Sequence, residues 1–300
     1  MKYVFGALVS LVFCAWAATQ DQPVRPSITG IAYVRIAVSD LENSRRFYSK
    51  NLGFRSNSGG CHAILLPCVS IGSQYIEFDR ANPADSSNLV TEIAFATSSV
   101  SGLHRYLQAR GVKTGEIIDL DPENARFEVA DPENHRIAFV QRRDLHSTAS
   151  TKSQVSNHLI HTGFIVSDRA AEDHFFRDIL GFHPYWHGGM EDDKDDWVAM
   201  QVPDGTDWVE YMLNISPSAD KHTLGVMNHI ALGVPDIKAA QAQLIKNGWK
   251  PGEEPKMGRD GKWQLNLYDP DDTRVEFMEF TPKEKPCCSE FTGPHPGPKQ

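Results

Sequence analysis

Residues 229–236, HIALGVPD, decide the fold, because the chain contains three more stretches of the same kind. Each one reads as a short strand that ends on a residue suited to capping a following helix. The other three are YVRIAVSD (33–40), EIAFATSS (92–99) and HTGFIVSD (161–168). With starts at residues 33, 92, 161 and 229, successive stretches begin 59, 69 and 68 residues apart. This spacing predicts four structural units of one type along the chain.

An amphipathic helix follows each stretch and ends at a glycine, where a left-handed conformation suits the helix cap. These glycines are Gly53, Gly111, Gly181 and Gly248. About three strand-like segments then complete each unit. The second and fourth units share a turn, ADPENHRIAFVQ (130–141) and YDPDDTRVEFME (268–279), whereas the first and third end in SQYIEFD (73–79) and TDWVEYM (206–212). We therefore expect an α+β chain in which a two-unit block has been duplicated.

The polar link RRDLHSTASTKSQVSN (142–157) divides the chain into an N-terminal pair of units, 29–142, and a C-terminal pair, 157–280. Residues 281–300, rich in proline and glycine, are predicted to lack regular structure.

Residues 1–17 have the pattern of a signal peptide, with Lys2, an apolar run and the sequence AWA at 15–17. We expect a secreted or periplasmic protein without stable membrane insertion, because the run is too short for a membrane span. An uncleaved amphipathic anchor or a wrongly assigned start is the alternative.

The amino-acid composition limits the kinds of partner that the protein is expected to bind. The formal net charge is −9, and no basic stripe interrupts the spread of acidic residues, which argues against nucleic acid. A small-molecule substrate is expected instead, and a homo-oligomer is compatible with the sequence.

Four cysteines follow the signal sequence: Cys61, Cys68, Cys287 and Cys288. In an oxidising compartment they can pair, with a connectivity that the sequence leaves open, or remain partly free.

Histidine and glutamate recur at matching positions in the third and fourth units. His161 and His229 begin their strands, and Glu210 and Glu276 follow 49 and 47 residues later, flanked by apolar residues where an unpaired carboxylate is costly. Any one of them alone is more often a core or surface residue than a ligand. As a set, two imidazoles and two carboxylates can bind Zn, Ni, Mn or Fe(II). We predict a divalent metal site formed by His161, Glu210, His229 and Glu276.

Strand alternation predicts where this site lies. In 229–234, His229 shares one face with the small residues Ala231 and Gly233, and three bulky apolar residues form the other face. The bulky face should pack on a helix, and the small residues should leave room for a ligand beside the histidine.

The first two units lack the metal-binding set. Their corresponding positions are Tyr33, Glu77, Glu92 and Ala138, of which only Glu77 keeps the residue type found in the second half. We expect no metal there, and a structural or solvent-exposed role for Glu77 and Glu92.

The repeated units and the His/Glu set resemble the vicinal oxygen chelate superfamily, which includes glyoxalase I, extradiol ring-cleaving dioxygenases and bleomycin- and fosfomycin-resistance proteins. The resemblance covers roughly residues 29–280. It implies four βαβββ modules paired into two half-open barrels, with the metal in the hollow of one. The four-module layout resembles single-chain extradiol dioxygenases. The ligand set resembles glyoxalase I, in which His or Gln, Glu, His and Glu surround the metal.

The dioxygenase resemblance implies ligation by two histidines and one glutamate, which map to His161, His229 and Glu276. Three departures from those enzymes are Glu210 in place of an acid–base histidine, Asn266 in place of a tyrosine, and no histidine in PKMGRDGKW (255–263). In that alternative, His187 or His222 would have to serve as the base.

The glyoxalase resemblance implies all four ligands and a ligating glutamate, Glu276 or Glu210, that also acts as the base for a proton next to a carbonyl. Arg259, Lys262 and Trp263 are either substrate contacts or part of a solvated hairpin. A third alternative is non-catalytic binding of a small molecule, as in the bleomycin-resistance proteins, which lack the metal set. We expect an exported metal-dependent enzyme, and slightly favour lyase/isomerase chemistry over ring-cleaving dioxygenation.

Overall fold

The computed structural model describes residues 23–57, 61, 66–80, 88–121, 124–141 and 150–299. The signal peptide at residues 1–17 lies outside these ranges and stays a prediction. Among the described helices, none is long and apolar enough to cross a membrane.

The N-terminal half forms one eight-stranded sheet from two units, each of which contains a strand, a helix and three further strands. Its elements are β1 (Ile28–Val38), α1 (Leu41–Arg46) with a following π-helical turn (Phe47–Asn51), β2 (Arg55–Asn57), β3 (Cys68–Ile71), β4 (Gln74–Arg80), β5 (Val90–Thr97), α2 (Val100–Ala109), β6 (Ile118–Asp121), β7 (Asn124–Ala130) and β8 (Arg136–Gln141).

The C-terminal half repeats the arrangement in a second eight-stranded sheet. Its elements are β9 (Leu159–Ile165), α3 (Arg169–Asp173) with a π-helical turn (His174–Ile179), β10 (His183–Gly188), β11 (Trp197–Gln201), β12 (Trp208–Met212), α4 (Lys221–Met227), β13 (His229–Val234), α5 (Ile237–Lys246), β14 (Lys256–Met257), β15 (Trp263–Tyr268) and β16 (Arg274–Glu279).

The strand order identifies the modules. It is β2-β3-β4-β1-β5-β8-β7-β6 in the first sheet and β10-β11-β12-β9-β13-β16-β15-β14 in the second. In every unit the first strand pairs in parallel with the last, and the two first strands of a sheet pair antiparallel at its centre. The predicted fold of four βαβββ modules in two half-open barrels is confirmed. The short α4 and the two π-helical turns were not predicted.

Each unit helix begins and ends where its sequence indicates. Side chains at the start accept hydrogen bonds from free backbone N–H groups of the first turn; the residues are Asp40, Ser99, Asp168 and Asp236. The glycines predicted to end the helices have left-handed φ angles of 77°, 78°, 81° and 94°, at Gly53, Gly111, Gly181 and Gly248. A side chain is strained at such angles, so glycine ends each helix at low cost.

A single hydrophobic core runs between the two halves. Bulky residues of β13 pack on α5, as alternation predicts, and belong to the same buried cluster as residues of α2 and β5. Across the halves, the Phe95 and Phe182 rings lie edge to face at 5.3 Å, and the Tyr106 hydroxyl donates to the Ile179 carbonyl at 2.7 Å. The helix-covered faces therefore meet each other and leave the two concave faces for other roles.

The C-terminal segment, residues 281–299, contains no helix or strand but packs along β10. The Thr292 N–H donates to the Tyr185 carbonyl at 3.0 Å, and the Phe291 ring lies 4.8 Å from the Tyr185 ring. The Tyr185 hydroxyl is 2.5 Å from His295 Nδ1. The segment is therefore part of the wall of the second barrel.

The four described cysteines form two disulfides, Cys61–Cys68 and Cys287–Cys288. This supplies the connectivity that the sequence left open.

Candidate metal centre

The four predicted ligands converge on the concave face of the second sheet. His161 lies on β9 and His229 on β13, the two central strands, while Glu210 on β12 and Glu276 on β16 flank them. Both imidazoles are fully buried, and the carboxylate side chains are 13% and 6% exposed. The carboxylates therefore line the open side of the group and the imidazoles its floor.

The donor atoms of this group are spaced as metal ligands are. The two Nε2 atoms are 3.1 Å apart. The Glu210 Oε2 atom lies 3.8 Å from His161 Nε2 and 3.4 Å from His229 Nε2, and Glu276 Oε2 lies 3.6 Å from both. An ion about 2.0–2.2 Å from each donor separates neighbouring donors by about 3.0–3.5 Å. Donor atoms of His161, Glu210 and His229 all lie within 4.8 Å of one another, and Glu276 approaches both histidines from the other side. The first three residues therefore fit one divalent ion, and Glu276 is placed to join them as a fourth ligand.

Gly163 makes room for the His229 ring. It lies opposite His229 in the sheet, and a Cβ atom there would be 2.0 Å from His229 Cε1. Gly233 has a different role from the one predicted, since a Cβ atom there would meet the ring of Phe280 at 2.2 Å. The small residue that creates space beside the histidine is thus on the neighbouring strand.

Both histidines are held in the neutral form that binds metals. Burial, followed by nearby positive charge, sets the pKa of His161 and of His229 well below the usual value. His229 Nδ1 is 3.1 Å from the Met227 carbonyl oxygen, which places the proton on Nδ1 and the lone pair on Nε2. His161 stacks on Trp208 at 4.6 Å, and its Nδ1 is buried without a hydrogen-bond partner.

Burial raises the pKa of both carboxylates. Burial raises the pKa of Glu210 to about 7, against the opposing charges of Arg274 and Lys262. Burial likewise raises the pKa of Glu276 to about 7, with Arg274 opposing the shift. A divalent cation would stabilise the ionised form of both groups and so offset this cost.

A cavity of about 380 Å³ opens beside the carboxylates and is large enough for a small organic molecule. Glu210 and Glu276 form one part of its wall. The remainder combines sulfur, aromatic and cationic side chains, including Met190, Met212, Met257, Met278, Trp186, Trp197, Lys256, Arg259 and Arg274.

Comparison with known proteins identifies the family. The family model of the Glyoxalase/Bleomycin resistance protein/Dioxygenase superfamily matches residues 30–139 and 158–277. The chain belongs to this superfamily. Both matched segments coincide with the two sheets, so each half of the chain is a superfamily unit. Among curated proteins, none gives a significant match.

Solved structures of the superfamily share the fold at low sequence identity. Homoprotocatechuate 2,3-dioxygenase of Brevibacterium fuscum, in complex with 3,4-dihydroxyphenylacetate, has a TM-score of 0.62 at 17% identity over 85% of this chain and 82% of its own. The enzyme of Arthrobacter globiformis gives 0.62 at 16%, over 85% and 80%. The 2,3-dioxygenase LapB of Pseudomonas sp. KL28 gives 0.65 at 15%, over 92% and 96%.

In the first half of the chain, arginine side chains lie at the place where the second half has the His/Glu set. Glu92 accepts hydrogen bonds from the Tyr33 hydroxyl at 2.5 Å, from Arg126 Nη2 at 3.1 Å and from Arg35 Nη1 at 3.3 Å. Glu77 pairs with Arg35 at 2.9 Å. All these side chains are buried, so of the two expected roles for Glu77 and Glu92 the structural one applies.

Lys262 lies inside the barrel, and the solvated-hairpin alternative is wrong for this residue. It is fully buried, with Nζ 4.8 Å from the Trp208 ring and 5.0 Å from the Phe291 ring. Its Nζ donates a hydrogen bond to the Tyr185 hydroxyl at 3.5 Å. Burial lowers the pKa of Lys262 to about 8, although nearby Asp260 opposes the shift.

Arg274 is a site residue that the sequence analysis missed. It lies two residues before Glu276 on β16 and therefore on the same face, where it lines the cavity. Its Nε is buried without a hydrogen-bond partner. Strand alternation in TRVEFME (273–279), which places Arg274 on the same face as Glu276, is the signal that the sequence contains.

The residues considered as substitute bases are engaged elsewhere. His187 Nδ1 lies 2.7 Å from Asp195, and His222 Nδ1 lies 2.6 Å from Asp272. Neither histidine lines the cavity. Arg259 lines it but donates to the Gly189 carbonyl at 3.1 Å.

Proposed function

We propose that this chain is a divalent-metal-dependent enzyme whose catalytic centre is formed by His161, Glu210, His229 and Glu276. The substrate is a small molecule that presents two neighbouring oxygens to the metal. The observation that carries the proposal is the convergence of four donor atoms, each within 3.8 Å of a histidine Nε2, beside a cavity of substrate size.

The four residues fit Zn, Ni, Mn or Fe(II), and such an ion supplies Lewis-acid polarisation of a substrate carbonyl. The chain's own contribution is to position the substrate and to move a proton. We assign the proton transfer to Glu210, because it is the more exposed of the two carboxylates. Glu210 also lines the cavity, so its carboxylate faces the space that a substrate would occupy.

Lyase or isomerase chemistry of the glyoxalase type is favoured over ring cleavage. Glu210 lies near the position at which the resemblance to ring-cleaving dioxygenases implies an acid–base histidine, and His187 and His222 do not line the cavity. The four-module architecture is the feature that supports the alternative, an extradiol-type dioxygenase that uses His161, His229 and Glu276.

Metal identification on protein purified without added metal, with oxygen uptake measured on catechols, separates the alternatives. Zn, Ni or Mn without oxygen uptake supports the lyase or isomerase. Tightly bound Fe(II) with oxygen uptake would replace it by the dioxygenase. A metal-free protein that still binds a small molecule would leave a non-catalytic binding protein.

The assignment of the centre is tested by His229→Ala, with Tyr33→Ala at the corresponding position of the first half as the matched control. We expect His229→Ala to lose the ion bound at this centre and Tyr33→Ala to retain it, as measured by elemental analysis. Equal metal content in the two variants would refute the assignment.

We also propose that the protein is exported by residues 1–17 and is secreted or periplasmic. The Cys61–Cys68 disulfide supports an oxidising compartment. Mass spectrometry of the mature N-terminus should locate cleavage after Ala17, and an intact Met1 in the cell-associated fraction would contradict export.

A further inference from the structure

A second group of candidate metal donors lies between the two halves. Asp131 and His135 belong to the turn between β7 and β8, and Glu172 belongs to α3 of the other half. One donor atom from each of the three residues lies within 4.8 Å of the others. The His135 ring contacts Phe164 at 4.6 Å, on the face of β9 opposite to His161, so this group is separate from the catalytic centre.

This group brings carboxyl side chains together without a lysine or arginine partner among the described residues. Glu172 is fully buried and Asp131 is 4% exposed, while Glu133 accepts from the backbone N–H groups of Ser167 and Asp168 at 2.6 Å. In the described part of the chain, no lysine or arginine forms an ion pair with Asp131, Glu133 or Glu172. Buried carboxylates without a compensating charge are costly.

One carboxylate oxygen of the group has no partner at all. Glu172 Oε1 accepts from the Glu133 N–H at 3.2 Å, but Glu172 Oε2 is buried and makes no hydrogen bond. Asp131 Oδ2 accepts a hydrogen bond from His135 Nδ1 at 2.7 Å, which leaves the lone pair of this imidazole on Nε2. The unpaired Glu172 oxygen, the second lone pair of Asp131 Oδ2 and this imidazole nitrogen are donors of the kind that a cation requires.

The fourth and first units make a contact equivalent to the one between the second and third units. Comparing the two shows whether this turn needs a histidine and a glutamate. There Asp269 makes the same turn, accepting from the Asp271 and Thr273 N–H groups at 2.9 Å, as Asp131 does from Glu133 and His135. Thr273 stands where the first block has His135, and Ser44 of α1 stands where α3 has Glu172. The turn and its packing therefore form without an imidazole or a second carboxylate, so these two side chains have another purpose.

We propose that Asp131, His135 and Glu172 bind a second divalent cation that links the two halves. One imidazole and two carboxylates suit Zn²⁺ or Mn²⁺ better than Ca²⁺, which prefers oxygen ligands alone. Because its ligands come from both halves, the ion stabilises the folded chain in proportion to its occupancy.

The test titrates metal-free protein with Zn²⁺ alone and measures stoichiometry by elemental analysis after dialysis, together with the melting temperature. The informative variants are His135→Thr and Glu172→Ser, which copy the residues that the chain itself uses in the other contact. Wild type should bind two ions, and each of these variants and His229→Ala should bind one. The double variant with His135→Thr and His229→Ala should bind none. Zn²⁺ should raise the melting temperature of His229→Ala and leave that of the double variant unchanged.

The outcomes separate this inference from the proposed function. Wild type binding one ion that His229→Ala loses and His135→Thr keeps would overturn the second site and leave the catalytic centre intact. Wild type binding one ion that His135→Thr loses and His229→Ala keeps would support the second site and refute the catalytic centre. Should Glu172→Ser fail to fold, His135→Thr gives the same test with both carboxylates retained.

Discussion

At the scale of single residues, the absence of one side chain positions a histidine of the candidate metal centre. The His229 ring lies so close to Gly163 that a Cβ atom at this position would clash with it. The residue is on β9, whereas the ring is on β13, so the requirement comes from the register between strands. The conformational freedom of glycine is not what matters at this position, because its φ angle is not positive.

We predict that Gly163→Ala displaces the His229 ring and weakens metal binding about 10–100-fold, the range seen when a group that orients a ligand is changed. Gly252→Ala is the matched control, since a Cβ atom at Gly252 meets nothing within 4 Å. Isothermal titration of the metal-free variants measures the effect. Equal affinities for the two variants would contradict the steric role of Gly163.

In the first half of the chain, the buried Arg126 lies at the place that corresponds to the candidate metal centre. It is 2% exposed and bridges both oxygens of Glu92 at 3.1 Å. We predict that Arg126→Met lowers the free energy of unfolding by about 3 kcal/mol, because it leaves Glu92 with only part of its compensating charge. Urea denaturation measures this. Adding Glu92→Gln should recover part of the loss; an equally unstable double variant would exclude unpaired charge as the cause.

At the scale of elements, the C-terminal segment contributes more than its lack of helix and strand suggests. Phe291 covers Tyr185 and lies over Lys262, so the segment shields a cationic side chain from water inside the barrel. Its proline- and glycine-rich composition gave no indication of this packing, because composition reports local propensity and not the surface on which a segment rests.

We predict that deletion of residues 281–300 lowers the melting temperature and shifts tryptophan emission to longer wavelengths. Tyr185 then loses its ring contact with Phe291, and the Trp186 indole N–H loses the Cys287 carbonyl to which it donates at 3.3 Å. Phe291→Ala should change both quantities in the same direction by a smaller amount. Thermal unfolding and fluorescence of the three proteins measure this. A truncated protein that matches the full chain in both would show that the segment does not support the barrel.

At the scale of the whole molecule, the halves are joined through reciprocal contacts. The turn of the second unit packs on α3 of the third, and the turn of the fourth packs on the π-helical turn that follows α1 of the first. In the latter contact the Tyr48 hydroxyl donates to Asp269 Oδ2 at 3.1 Å. Burial raises the pKa of Asp269 to about 6, although three hydrogen bonds oppose the shift.

This shift predicts a pH dependence of stability. The folded state binds the Asp269 proton more tightly than the unfolded state, so this group adds stability as the pH falls from about 6 to about 4 and removes it as the pH rises through 6. The difference is on the order of 2–3 kcal/mol. Urea denaturation of wild type and Asp269→Asn at several pH values isolates it: the stability of wild type relative to Asp269→Asn should fall as pH rises over this range. A constant difference would contradict the shifted pKa.

Much of the fold was determined by the sequence itself. The four strand stretches, their capping residues and the glycines that end the helices are local signals, because periodicity and backbone preference act over a few residues. The positions of His161 and His229 in matched repeats extended those signals to the candidate centre, since duplicated units place equivalent residues at equivalent positions.

Tertiary structure decided what depends on distant neighbours. Whether Lys262 is solvated or buried is settled by the aromatic side chains of β10, β12 and the C-terminal segment, which lie far from it in sequence. Gly163 and Gly233 read alike in the sequence, yet one makes room for an imidazole and the other for Phe280. The meeting of Asp131 with Glu172 likewise requires two halves to pack. Side-chain burial and charge compensation are properties of the surroundings in space, and a single strand does not carry them.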